Sequence, residues 1–96
     1  MASGKISKPN MFRLVKKTVN LGSTSFAANE TGTKEIPYSI DSGFTFYAVN
    51  RAFPTNAAIT IGNNYETGTK FMIDYRNNTA QSVYSNIYVE YFEYQG

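Results

Sequence analysis

The 96-residue sequence contains no histidine and no cysteine, so what is missing narrows its chemistry first. Ser-His-Asp and Cys-His catalysis, thiol redox chemistry, disulfides and zinc sites built on Cys or His are excluded. The acid–base groups that remain are seven carboxylates, lysines and tyrosines. A glycosidase-type site needs two carboxyl groups flanking one bond at about 5–9 Å. Glu90 and Glu93 lie on an alternating segment at a spacing that sends them to opposite faces. Glu30, Asp41 and Glu66 fall in or beside expected turns and read as solvated loop charges. There is no Gly-rich phosphate loop and no Asp-x-Asp calcium pattern. No catalytic residue, cofactor or metal ligand is assigned, and the chain is read as a non-enzyme.

Binding asks for less. Arg51 and Asn56 flank a Phe53-Pro54 loop, and Asn63, Asn64 and Tyr65 form a second expected loop. Polar donors beside an aromatic ring are the inventory of a sugar site, although turn chemistry explains the asparagines equally well. Arg51, Asn56, Asn63, Asn64 and Tyr65 are the candidate ligand-binding residues. A single-stranded nucleic-acid surface is the weaker alternative. Phe44–Val49 (FTFYAV) alternates aromatics as a base-stacking strand does, but no Lys or Arg lies between Glu35 and Asn50. Asn29-Glu30-Thr31 and Asn77-Asn78-Thr79 match the glycosylation sequon and, without a secretory signal, are read as chance.

The elements that must position these residues follow one period, and it is two. Apolar residues alternate in Ile36/Tyr38/Ile40, in Phe44/Phe46/Ala48 with Val49 on the other face, in Ala57/Ile59/Ile61, in Phe71/Ile73/Tyr75 and from Val83 to Tyr94. Between them lie Asp41-Ser42-Gly43, Phe53–Asn56, Gly62-Asn63-Asn64 and Arg76–Thr79, which read as turns. The expected fold is all-β, a single antiparallel β-sandwich, jelly-roll-like, of about six to eight short strands. Residues 1–10 read as a flexible tail and 11–96 as that one domain. Met11–Leu21 is ambiguous between an amphipathic helix and a strand; its β-branched Val15, Thr18 and Val19 favour the strand. Glu-Thr-Gly-Thr-Lys occurs twice, at 30–34 and 66–70, and reads as one turn chemistry used in two hairpin-type loops.

The final segment carries Val83, Ile87, Val89 and Tyr91 on one face and Tyr84, Tyr88, Phe92 and Tyr94 on the other. A strand apolar on both faces is either central in its domain or covered by another subunit. Tyr84, Tyr88 and Phe92 are therefore the candidate oligomer interface.

Charge is uneven along the chain: residues 1–29 hold five bases and no acid, residues 30–96 four bases and seven acids. The basic segment is interleaved with Phe12, Leu14, Val15 and Val19, which fits a solvated strand better than a nucleic-acid arm. No apolar run is long enough to span a bilayer, and no signal-peptide h-region is seen.

The stretch Ile36–Tyr94 is similar to a known family. It opens with a Ser42-Gly43-Phe44 strand (FTFYAVN), continues through AAITIG, closes a strand on Tyr75-Arg76-Asn77-Asn78-Thr79, and ends in IYVEYFEY. This order resembles the small all-β C-terminal modules of tail-fibre, baseplate and receptor-binding proteins of tailed phages of Gram-positive bacteria. The final strand, running on to Phe92 and Tyr94, is longer and more acidic than the pattern. The resemblance implies a β-sandwich, usually a homotrimer, assembled in the host cytoplasm with other virion proteins and used for adsorption to host surface polysaccharide. It transfers no individual residue role. A structural virion component without ligand binding is the alternative.

Overall fold

A computed structural model describes residues 13–95 of the chain. Among these residues there are eight strands: β1 (Arg13–Asn20), β2 (Thr24–Phe26), β3 (Thr31–Pro37), β4 (Thr45–Pro54), β5 (Ile59–Glu66), β6 (Lys70–Asn77), β7 (Val83–Ser85) and β8 (Ile87–Gln95). The ambiguous N-terminal segment is a strand from Arg13 onward, in keeping with its β-branched residues. The tail expected over residues 1–10, with Met11 and Phe12, lies outside the described residues.

All pairings are antiparallel. One three-stranded sheet runs β1-β8-β4, a second β3-β6-β5, and β2 pairs with β7. The first strand thus pairs with the eighth, the second with the seventh and the third with the sixth, a nested order like that of a jelly roll. The β1–β8 ladder continues through Leu21 N–H to Ile87 O at 2.9 Å before β2 meets β7. That ribbon carries Phe26 to the core, where its ring meets Tyr75 edge-on at 4.9 Å.

The two larger sheets bury one alternate set of side chains between them. Phe26, Ile36, Ile59, Phe71, Ile73, Tyr75, Ile87, Val89 and Tyr91 form the core, with Val19, Tyr38, Ile40, Phe46, Val49 and Ala52 packed against it. Each fully buried Ile or Phe contributes about 1.5–3 kcal/mol of transfer free energy, so period-two patterning fixes which face turns inward. Strand β8 is central in its sheet, with β1 on one side and β4 on the other; its inner face joins the core, and its outer rings Tyr88, Phe92 and Tyr94 stay half-buried on the outside of the sheet.

Three local readings are corrected. Asn63, Asn64 and Tyr65 lie in β5, where one extra residue between Ile61 and Asn64 makes a bulge; the expected loop is strand. In β4, register shifts fall at Phe46/Ala48 and Val49/Arg51. They turn Val49 inward and set Ala48 opposite Phe92 on the outer face, against the strict alternation read from the sequence. The repeated pentapeptide also adopts two structures. Thr67-Gly68-Thr69 turns the β5–β6 hairpin with Gly68 at φ 105°, whereas Thr31-Gly32-Thr33-Lys34 is part of β3. A Cβ on Gly32 would meet the Tyr75 hydroxyl at 2.9 Å. The close approach of the Tyr75 ring, and no positive φ, is what requires glycine there.

Candidate functional site

The outer faces of the two large sheets differ in character. On β6 the outward residues are Lys70, Met72, Asp74 and Arg76, beside Thr31, Thr33 and Glu35 of β3. Thr33 Oγ1 donates to Asp74 Oδ1 at 2.7 Å and Lys70 Nζ to Glu35 at 2.6 Å, so this face is mostly polar, with Met72 and the exposed Tyr65 of β5 set among the charges. The outer face of β1-β8-β4 instead presents Tyr88, Phe92 and Tyr94 of β8. They are half-buried and flanked by Leu14, Lys16, Thr18 and Asn20 of β1 and by Tyr47, Arg51 and Phe53 of β4. Tyr47 is 56% exposed and meets Tyr94 edge-on at 5.9 Å.

At the centre of this face stands Glu90. Arg51 donates to it from Nε to Oε1 at 3.0 Å and from Nη2 to Oε2 at 3.4 Å, and Asn50 Nδ2 adds a third bond to Oε1 at 3.0 Å. The second bulge of β4 aims both Asn50 and Arg51 at one carboxylate, as bulges beside binding sites commonly do. The bond from Arg51 is the largest cause holding the Glu90 carboxyl below its ordinary range, and it raises Arg51 in turn. The guanidinium lies 4.3 Å from the Phe53 ring centroid, and Phe53 stacks on Tyr88 at 5.4 Å and 18°. Cation, ring and ring therefore form one ordered column across two strands.

The structure divides the residues proposed from sequence. Arg51 lies on strand β4, not in a loop, and it joins Tyr88 and Phe92, which were assigned to a subunit contact. Asn63, Asn64 and Tyr65 belong to the opposite sheet. Asn64 pairs opposite the buried Ile73 and Tyr65 opposite Met72, so those two point to different faces. Asn56 shapes its own turn: Nδ2 donates to Tyr84 O at 3.1 Å, and Oδ1 accepts from Ala58 N–H at 2.9 Å. The five residues form no common site. Tyr84 is 70% exposed on β7. Asn50, Phe53 and Glu90 are not among the site residues read from the sequence; Phe53 shares a face with Arg51 by simple alternation, whereas the bulge at Val49/Arg51 brings Asn50 and Arg51 to Glu90, and bulges leave no mark in the apolar pattern.

The carboxylates are not uniformly solvated either. Glu30 accepts from the Tyr75 hydroxyl and from Ala27 N–H, and Glu66 from the Tyr38 hydroxyl and Gly68 N–H. Glu93 is fully buried on the inner face of β8. It shares Lys17 with Asp41, at 3.7 and 2.9 Å from the ammonium, and accepts from Asp41 N–H at 3.4 Å. Two carboxylates meet here across a cation, tying the β3–β4 connection to β1 and β8. The Asp41 bond raises Lys17 further.

No family model, curated protein or solved structure matches this chain. Among the described residues no pocket opens, no cluster of three or more potential metal ligands forms, and no helix is long and apolar enough to cross a membrane.

Proposed function

We propose that this chain is a non-enzymatic adsorption module of a virion, a tail-fibre or baseplate component that holds host surface polysaccharide on the outer face of the β1-β8-β4 sheet. The observation that carries the binding mode is the aromatic strip of Tyr88, Phe92 and Tyr94 with Arg51 and Phe53. It lies on a face that encloses no pocket, while the opposite outer face has only Met72 and Tyr65 among ion-paired and hydrogen-bonded polar groups. A flat aromatic surface suits an extended polymer, whose sugar rings stack on aromatic faces while hydroxyls reach flanking polar groups. The virion setting is supported by the sequence resemblance over Ile36–Tyr94. Weak contacts of this kind gain avidity by repetition on a particle.

A second reading uses the same face for assembly. Tyr88 and Phe92 lie on it and Tyr84 stands exposed nearby, so a homotrimer contact or a purely structural virion role would cover these rings. Native electrophoresis in gels containing Gram-positive cell-wall polysaccharide separates the readings. Tyr88→Ala with Phe92→Ala should abolish retardation, and Asn63→Ala with Tyr65→Ala should leave it intact. Loss confined to the second pair moves the site to β5. If neither pair matters, the proposal fails, and light scattering showing three times the 10.7 kDa chain mass would favour the assembly role.

A further inference from the structure

Independently of the adsorption reading, we propose that Lys17 and Asp41 become joined by a side-chain amide, formed within the folded chain with Glu93 as its catalytic base. The three groups come from β1, the β3–β4 connection and β8, and only the fold brings them together. Lys17 Nζ lies 2.9 Å from Asp41 Oδ1 and 3.7 Å from Glu93 Oε1. Asp41 Cγ, the atom an amine would attack, is one bond beyond Oδ1. The Glu93 side chain is fully buried, and its Oε1 faces Nζ without a hydrogen-bond partner among the described residues.

A plain ion pair between Lys17 and Asp41 needs no second carboxylate. Burying one with an unpartnered oxygen costs stability that the pair alone does not return. Glu93 is nonetheless held firmly in place. Val15 and Phe46 flank it on the neighbouring strands, and its Oε2 accepts from Asp41 N–H at 3.4 Å. The bond to Asp41 holds the Lys17 ammonium above its ordinary range, so a nucleophilic amine has to be made in place by a base. Tyr91 stands opposite Lys17 on β8, but its hydroxyl is engaged, donating to Ser39 O at 3.1 Å. Glu93 Oε1 is the open acceptor, and a shift of less than 1 Å brings it within about 3.2 Å of Nζ, the reach a general base needs.

The step is a condensation, and it balances without a co-reactant. Glu93 takes a proton from the ammonium, and the Nζ lone pair attacks Cγ to form the C–N bond. One Cγ–O bond then breaks, its electron pair leaving with the oxygen. The two protons lost by Nζ end on that oxygen, carried by Glu93, which returns to a carboxylate. One ammonium and one carboxylate thus become a neutral amide and a water. Bulk water opposes such a condensation between free molecules. Holding amine and carboxyl in contact offsets this, with effective molarities of about 10⁵–10⁸ M for well-oriented groups. The product fastens the edge strand β1 to the β3–β4 connection.

Intact mass spectrometry of the full chain, purified and then denatured, tests the proposal. The expected chain is lighter than its sequence by one water. Trypsin should fail to cut after Lys17 and should release residues 17–34 joined to residues 35–51 as one branched peptide. Lys17→Arg and Asp41→Ala should each restore the full mass. Glu93→Gln removes the base, slows formation at least about a hundredfold and should be recovered mainly at full mass. Glu93→Met, apolar and of similar size, replaces Glu93→Gln if that variant does not fold. A wild-type chain at full mass after prolonged incubation overturns the proposal. So does a chain lighter by one water that yields no branched peptide, as a succinimide at Asp41 would give. A folded Glu93 variant linked as completely as the wild type overturns Glu93 as the base.

Discussion

Asn77 offers the sharpest test of how this fold is held. It is fully buried at the end of β6. Its Nδ2 donates to Ala27 O at 2.8 Å and Gln81 O at 2.9 Å, and its Oδ1 accepts from Thr79 N–H at 3.0 Å and Thr79 Oγ1 at 2.8 Å. One side chain thus joins the turn after β2 to the β6–β7 connection. Asn77→Ala removes all of these bonds. Ala27 and Gln81 are exposed, so their carbonyls can turn to water and each loss costs about 1 kcal/mol. The half-buried Thr79 N–H adds about 1 kcal/mol more. The expected loss is about 3 kcal/mol, or about 12–24 °C in Tm at 4–8 °C per kcal/mol for a domain of this size. Urea unfolding followed by tyrosine fluorescence measures it, since the chain has no Trp. Asn77→Asp keeps the acceptor, loses the donors and buries a charge, so it should be at least as unstable at pH 7 and recover partly in acid. A loss below about 1 kcal/mol for Asn77→Ala would refute the reasoning, because the bonds would then be replaceable by water.

Other outcomes follow from the same geometry. Burial, then the bond to Glu30, pushes Tyr75 up to about 12; burial and the bond to Glu66 push Tyr38 higher still, and burial raises Tyr91. These folded-state values exceed the ordinary one near 10. The stability they contribute is therefore complete below pH 10 and disappears as pH rises toward and beyond 12. Absorbance titration should show a late tyrosinate wave coincident with unfolding; complete ionisation near pH 10 in folded protein would contradict this. In acid the sign reverses: Glu30, lowered chiefly by the Tyr75 bond, and Glu90, lowered chiefly by Arg51, stabilise the fold above the ordinary carboxylate range. That contribution is lost as pH falls below it, and Glu30→Gln should flatten the acid limb of a stability–pH curve. The repeated pentapeptide gives a paired comparison. Gly68→Ala forces a side chain to φ 105° and should cost about 1–2 kcal/mol. Gly32→Ala drives a Cβ against the Tyr75 hydroxyl, at about 1–3 kcal/mol. Both losses should move the unfolding-coupled tyrosine wave to lower pH.

Much of the architecture was legible in the chain itself. Alternation in Ile36–Ile40, Phe71–Tyr75 and Val83–Tyr91 marks the inward faces because a pleated strand sends successive side chains to opposite sides. The absence of His and Cys fixed the excluded chemistry before any fold was known. What the sequence could not show is where one residue slips out of register. The bulges in β4 turn Val49 inward and bring Asn50 and Arg51 to Glu90; the bulge in β5 makes a strand of a Gly-Asn-Asn run that reads as a turn. Identical Glu-Thr-Gly-Thr-Lys segments likewise became a turn at one place and a strand at another. Five residues carry too little local preference to resist their surroundings. Pairing partners far along the chain decide both outcomes: β6 recruits the first copy as a neighbour, while the second must reverse direction between β5 and β6. The aromatic face exists for the same reason, because Arg51, Phe53, Tyr88 and Glu90 meet only when β4 and β8 are laid side by side.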